Sequence, residues 1–132
     1  MKNRVLEKIE GEVKRGMGLG KKLGFPTINL SYSGRTKGIF VGRVYLGEEV
    51  FPAAVHVGPR ISIPDEKNLV EAHIVSQLAE DVLGEIRPGK IAVIELLHKI
   101  RESEKIPDLK ALSKKIASDV EFTKKWYKLH LC

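Results

Sequence analysis

Thr27 and Asn29 stand two residues apart in the run FPTINL, which is entered from the glycine- and lysine-rich stretch GMGLGKKLG. Pro26 fixes the backbone ahead of them, and the two-residue period of a strand turns the Thr27 hydroxyl and the Asn29 amide to one face. Phe25, Ile28 and Leu30 remain for packing. Two hard, neutral oxygens side by side are ligands that Mg2+ accepts when nucleotide phosphates and water complete its octahedron. The pair is a candidate seat for a metal–nucleotide complex. The same spacing also fits a surface loop running into a strand whose polar face is solvated.

The glycines ahead of this run suit a phosphate cradle, because backbone N–H groups reach phosphate oxygens where no Cβ intervenes. Two familiar loop patterns do not fit. G-x-x-x-x-G-K-[ST] would need glycine at Arg15 and a hydroxyl at Lys22. G-x-G-x-x-G, started at Gly16 and Gly18, meets Lys21 where glycine is required, and no long helical pattern follows. A phosphate held here would be held in a β-rich setting.

A second candidate lies in LVEAHIV. Read as a strand, it sets Glu71 and His73 on the face opposite Val70, Ala72 and Ile74, so that a carboxylate and an imidazole share one surface. A carboxylate so held could accept a proton from an attacking hydroxyl. An exposed edge pair is the alternative. His56, His98 and His130 show no zinc-like spacing and read as structural or surface residues. Cys132, the single cysteine, ends the sequence and reads as a dangling thiol.

These residues need strands to position them. IEGEVK, FPTINL, GIFVGRVYL, VFPAAVHV, LVEAHIVSQL and KIAVIELLH are short β-type runs separated by Gly- or Pro-marked turns, among them Pro88-Gly89, which fits the centre of a type II turn. Residues 69–83 also carry a four-residue repeat, Val70, Ile74, Leu78 and Val82, that suits a helix. After Pro107 the period changes. Leu109, Leu112, Ile116 and Val120 form a stripe at helical spacing, with Asp108 as N-cap and lysines on the other face. Strands followed by one helix predict a small, closed or nearly closed antiparallel sheet with the helix packed on it.

The chain has 132 residues, enough for one domain, with 42% hydrophobic and 30% charged residues, which excludes a disordered chain. No apolar run approaches the roughly 20 residues of a membrane span, and MKNRVLEKIEGE lacks the apolar core of a signal peptide, so a cytoplasmic protein without a membrane partner is expected. The net charge of +6 suits an anionic partner. A basic barrel binding single-stranded nucleic acid would set aromatic platforms among its charges. Phe122, Trp126 and Tyr127 lie instead at the C-terminal end, away from the glycine loop, so no nucleic-acid partner is expected.

Taken together, GEVKRGMGLGKKLGFPTINL, KGIFVGRVYL, VEAHI and IRESEKIPDLKALSKKIASDV resemble, in order and over roughly residues 9–120, the riboflavin kinase family. The first segment is similar to its Gly-rich loop and Pro-Thr-x-Asn core, the last to its Ile-Arg-x-Glu-x-Lys-Phe motif and following helix. The resemblance implies a six-stranded antiparallel Greek-key β-barrel over about 9–100, with a C-terminal helix over about 108–126, in a single domain spanning 1–132. It resolves residues 69–83 in favour of a strand. It implies transfer of the γ-phosphate of ATP to the 5′-hydroxyl of riboflavin, giving ADP and FMN, with Mg2+ or another divalent ion such as Zn2+ or Mn2+.

The same resemblance carries roles to individual residues. Gly16, Gly18, Gly20 and Lys21 fall on the ATP loop. Thr27 and Asn29 take the metal, and Thr27 the phosphates. Glu71 takes the role of general base, and Ile74 and Ser76 line the nucleotide. Arg101, Glu104 and Ile106 contact the flavin. The sequence departs from the pattern at Ile28, which replaces alanine and is expected to face the core. It also departs at Ile106 and Leu83, where aromatic residues are usual, and in VHVGPRISI, a loose match to the family's Asn-Ile-Gly-x-Arg-Pro-Thr. A monomer is expected. No adenylyltransferase segment precedes the barrel, so FAD synthesis is not expected. The alternative is a non-catalytic flavin- or nucleotide-binding module of the same fold.

Overall fold

The computed structural model describes residues 5–14, 27–58, 69–75, 89–104 and 108–130. Six strands form one antiparallel sheet: β1 (Glu7–Glu12), β2 (Thr27–Ser31), β3 (Gly38–Leu46), β4 (Glu49–Val57), β5 (Leu69–Ile74) and β6 (Ile91–Arg101). Their order is β1-β6-β3-β4-β5-β2. β3, β4 and β5 are consecutive neighbours and β6 returns beside β3, which is a Greek key. Residues 69–74 are a strand, as the resemblance requires. Gly89 has φ +91°, the value that the second central position of a type II turn demands.

The sheet curls into a half-barrel because β3 shifts register against β6 between Ile39 and Phe40 and again between Val41 and Gly42. Gly42 is required at the second shift: a Cβ there would lie 2.5 Å from Val55 Cγ2 and 3.2 Å from the Glu95 carbonyl oxygen. The two ends of the sheet meet through a single bridge, in which the Lys14 N–H donates to the Asn29 carbonyl oxygen at 2.7 Å. Near this seam the Tyr32 hydroxyl donates to Glu7 Oε2 at 2.7 Å, and Thr36 also hydrogen-bonds Glu7.

Period-two alternation fills the interior with one face of each strand: Ile28, Leu30, Phe40, Val44, Leu46, Val55, Val57, Val70, Ala72, Ile74, Ile94 and Leu96 form one cluster. Ile28 is fully buried there, as expected of the residue between Thr27 and Asn29. The helix α1 (Leu109–His130) covers part of the outer face. It packs through Ile116 and Val120 on Ala54 and Val75, and through Trp126 on Val41 and Leu97. Asp108 caps it, accepting the Lys110 N–H at 3.1 Å.

Two helix expectations are corrected. α1 runs on to His130 rather than ending near 126. Its buried stripe is Ile116, Asp119, Val120, Thr123 and Trp126, whereas Leu109 is exposed. Strict four-residue spacing drifts around a helix of 3.6 residues per turn, so a stripe that stays on one surface must mix steps of three and four.

Candidate active site

β2 pairs with β5 so that Thr27 lies opposite His73 and Asn29 opposite Glu71. Directly opposed residues of an antiparallel pair project to the same side, with Cβ atoms about 5 Å apart. Ile28 and Leu30, opposite Ala72 and Val70, take the other side and enter the core. The four polar side chains therefore gather on the outer face. β5 lies between β4 and β2, so Glu71 and His73 are not an edge pair.

The cluster is largely closed to solvent: Asn29 is 9% exposed, Glu71 7% and His73 5%. The His73 ring touches both neighbours, with Nδ1 3.2 Å from Thr27 Oγ1 and Nε2 3.2 Å from Glu71 Oε1. On β4, Ala54 stands opposite His73 and His56 opposite Glu71. Ala54 also packs under α1, so the helix and the polar cluster occupy adjoining parts of one face.

Asn29 Oδ1 is buried without a hydrogen-bond partner. A buried polar atom left unpaired costs free energy, and native structures rarely keep one without a reason. A bound cation is such a reason, and the chemistry fits: a neutral amide oxygen and a neutral hydroxyl beside one carboxylate form a hard oxygen set. Among the described residues no group of three or more His, Cys, Asp or Glu could hold a metal by itself. An ion here would need ligands from elsewhere, as Mg2+ does when phosphates complete its shell.

The loop leading into α1 is the second feature. The Arg101 guanidinium grips Asp119 through two bonds, Nε to Oδ1 at 3.0 Å and Nη2 to Oδ2 at 2.9 Å, and donates a third to the Glu102 carbonyl oxygen. Glu104 is half exposed and pairs with Lys115 at 2.9 Å, which holds its carboxyl below the usual range, with Arg101 adding a weaker pull. Ser103 Oγ, between them, is buried without a partner. Counted from Arg101, the Ile-Arg-x-Glu-x-Lys-Phe motif places its glutamate at Ser103, one residue before Glu104. Ser103 and Asp119 are thus residues that sequence reading passed over. The motif count was the available signal for Ser103, and none marked Asp119.

Ile74 is not brought to the polar cluster. Alternation from Glu71 and His73 sends its side chain into the core, opposite Ala53. Gly16, Gly18, Gly20, Lys21, Ser76, Leu83 and Ile106 lie outside the described residues. No described helix is long and apolar enough to cross a membrane.

A family model described as riboflavin kinase matches residues 6–127. The chain belongs to the riboflavin kinase family. It is 30% identical over 124 residues to the bifunctional riboflavin kinase/FMN adenylyltransferase of Haemophilus influenzae, covering 91% of this chain and 38% of that protein. It is 27% identical to the RNA-binding riboflavin kinase RibR of Bacillus subtilis, covering 92% of this chain and 51% of that one. The chain thus spans between about a third and a half of the length of these relatives. Riboflavin kinase from Trypanosoma brucei superposes with a TM-score of 0.59 at 25% identity, over 92% of this chain and 76% of that one. A macrolide-efflux protein from Streptococcus pneumoniae superposes at 0.69 and 24% identity, over 90% of this chain and 38% of that one, a likeness of fold alone. The family generally uses a divalent cation with ATP.

Proposed function

We propose that the chain transfers the γ-phosphoryl group of ATP to the ribityl 5′-hydroxyl of riboflavin, giving ADP and FMN. One observation carries this reading: Thr27, Asn29, Glu71 and His73, drawn from the two segments most similar to the family's, converge on one buried patch that includes an unpartnered carbonyl oxygen. Family membership supplies the substrate class.

Phosphoryl transfer asks a protein mainly to position donor and acceptor and to offset charge on the phosphates. Thr27 Oγ1 and Asn29 Oδ1 would hold a divalent cation, Mg2+ or an ion such as Mn2+ or Zn2+. When bound, that ion neutralises phosphate charge. Gly16, Gly18, Gly20 and Lys21 are assigned to the phosphates, and Ser76 with the Ile74 main chain to the rest of the nucleotide. Glu71 orients the 5′-hydroxyl and takes its proton as the new P–O bond forms, with no need to ionise the alcohol beforehand. The loop of Arg101, Glu104 and Ile106 is assigned to the flavin. Arg101 acts there by holding the loop against Asp119, and Ser103 Oγ offers the flavin a hydrogen bond.

Incubating the protein with riboflavin, ATP and Mg2+ and separating the products by chromatography tests the reading. FMN and ADP in equal amounts are expected. ATP consumption without FMN, or tight riboflavin binding without turnover, would replace it with another acceptor or with a binding module.

A further inference from the structure

We propose that His73 is a positioning residue that ties the metal side of this site to the proton-accepting side, an inference that rests on the reading above. Its ring is 5% exposed and bridges Thr27 Oγ1 and Glu71 Oε1, each at 3.2 Å. An ionised carboxylate only accepts hydrogen bonds, so Nε2, facing Glu71, carries the proton. In the neutral ring Nδ1 is then an acceptor, and the Thr27 hydroxyl donates to it.

Two consequences follow from that single tautomer. The Thr27 proton is directed at the ring, which fixes the hydroxyl rotor and presents the oxygen as a ligand on its other side. The Glu71 carboxylate is anchored through Oε1, with Oε2 the oxygen assigned to the substrate hydroxyl. Cross-strand pairing of Thr27 with His73, and of Asn29 with Glu71, makes the arrangement rigid, since no loop intervenes. The imidazole orients its neighbours as an outer partner orients a metal ligand, and loss of such partners lowers metal affinity or activity by about 10–100-fold.

The two contacts separate by substitution. In His73→Asn the amide oxygen lies near the Nδ1 position, keeping an acceptor for Thr27 and losing reach to Glu71. In His73→Gln the amide nitrogen lies near the Nε2 position, keeping a donor to Glu71 and losing the acceptor for Thr27. Binding of Mn2+ with ADP, followed by paramagnetic relaxation of water protons, needs no turnover. It should weaken roughly tenfold in His73→Gln and stay within about threefold in His73→Asn. Turnover at saturating metal should fall roughly tenfold or more in His73→Asn and stay within about threefold in His73→Gln.

Nitrogen NMR of labelled histidine, with His73 assigned by its absence in His73→Gln, should show the Nε2–H tautomer. Parallel losses in both variants, no loss in either, an Nδ1–H tautomer, or a phosphothreonine at Thr27 would each overturn the proposal. If the parent protein makes no FMN, the kinase reading fails on its own, while the Mn2+–ADP split and the tautomer still decide the role of His73.

Discussion

Arg101, the last residue of β6, and Asp119, in the middle of α1, form a two-bond fork that fastens helix to sheet. The carboxylate is buried and the guanidinium mostly so, and Thr123 Oγ1 donates to the Asp119 carbonyl oxygen beside it. Breaking such a pair from one side leaves an uncompensated charge, at a cost of about 3–5 kcal/mol when both partners are buried. Because Arg101 retains some solvent, Asp119→Ala should cost about 3 kcal/mol in urea denaturation, the lower end of that range. Arg101→Lys should not restore it, since a single ammonium lacks the fork geometry. The double variant Arg101→Ala/Asp119→Ala should lose clearly less than the sum of the single losses.

Asn29 gives a second prediction, in which stability and function move in opposite directions. With its Oδ1 unpaired in the free protein, Asn29→Ala should leave thermal stability nearly unchanged, within about 1 kcal/mol. The stabilisation that Mg2+ with ADP confers on the parent should be largely lost, because binding raises stability only as far as the native state holds the ligand. Differential scanning fluorimetry with and without Mg2+–ADP reads both effects. A large drop without ligand would mean that the amide has a structural partner instead.

Tyr127 predicts the alkaline behaviour of the fold. Its phenol donates to the Gly42 carbonyl oxygen at 3.3 Å, and burial, partly offset by Arg43, pushes its ionisation well above the usual tyrosine value. Tyr45 is raised in the same direction, by burial and by its hydrogen bond to Glu95. The unfolded chain ionises these phenols near pH 10 while the folded one does not, so the stabilisation is complete below about pH 10 and is lost as pH rises beyond it. Each phenol contributes a slope of at most about 1.4 kcal/mol per pH unit. Tyr127→Phe should flatten the fall between pH 9.5 and about 11, as measured by chemical denaturation.

Much of this was legible in the sequence because it is local. Period-two alternation set Thr27 with Asn29 and Glu71 with His73, and turn residues bounded the strands; each needs only neighbours along the chain. That the two pairs face one another needs the register of β2 against β5, which arises from core packing of Ile28 and Leu30 with Ala72 and Val70. The seam at Lys14 and Asn29 rests on one bridge and left no periodic trace. Asp119 looked like any charge on a lysine-rich helix, and only its long-range partner makes it a buried group. Ile74 shows the reverse, since its strand phase already placed it with Val70 and Ala72, away from Glu71.

The proton-accepting role of Glu71 is the claim on which the functional account turns. The most direct test compares FMN formation by the parent and by Glu71→Gln, under saturating riboflavin, ATP and Mg2+, with folding of both verified by thermal melts. Glu71→Gln keeps the size and an acceptor oxygen and removes the base, so turnover should fall by about two orders of magnitude or more while Mg2+–ADP binding persists. A Glu71→Gln protein that turns over at the parent's rate would contradict the assignment.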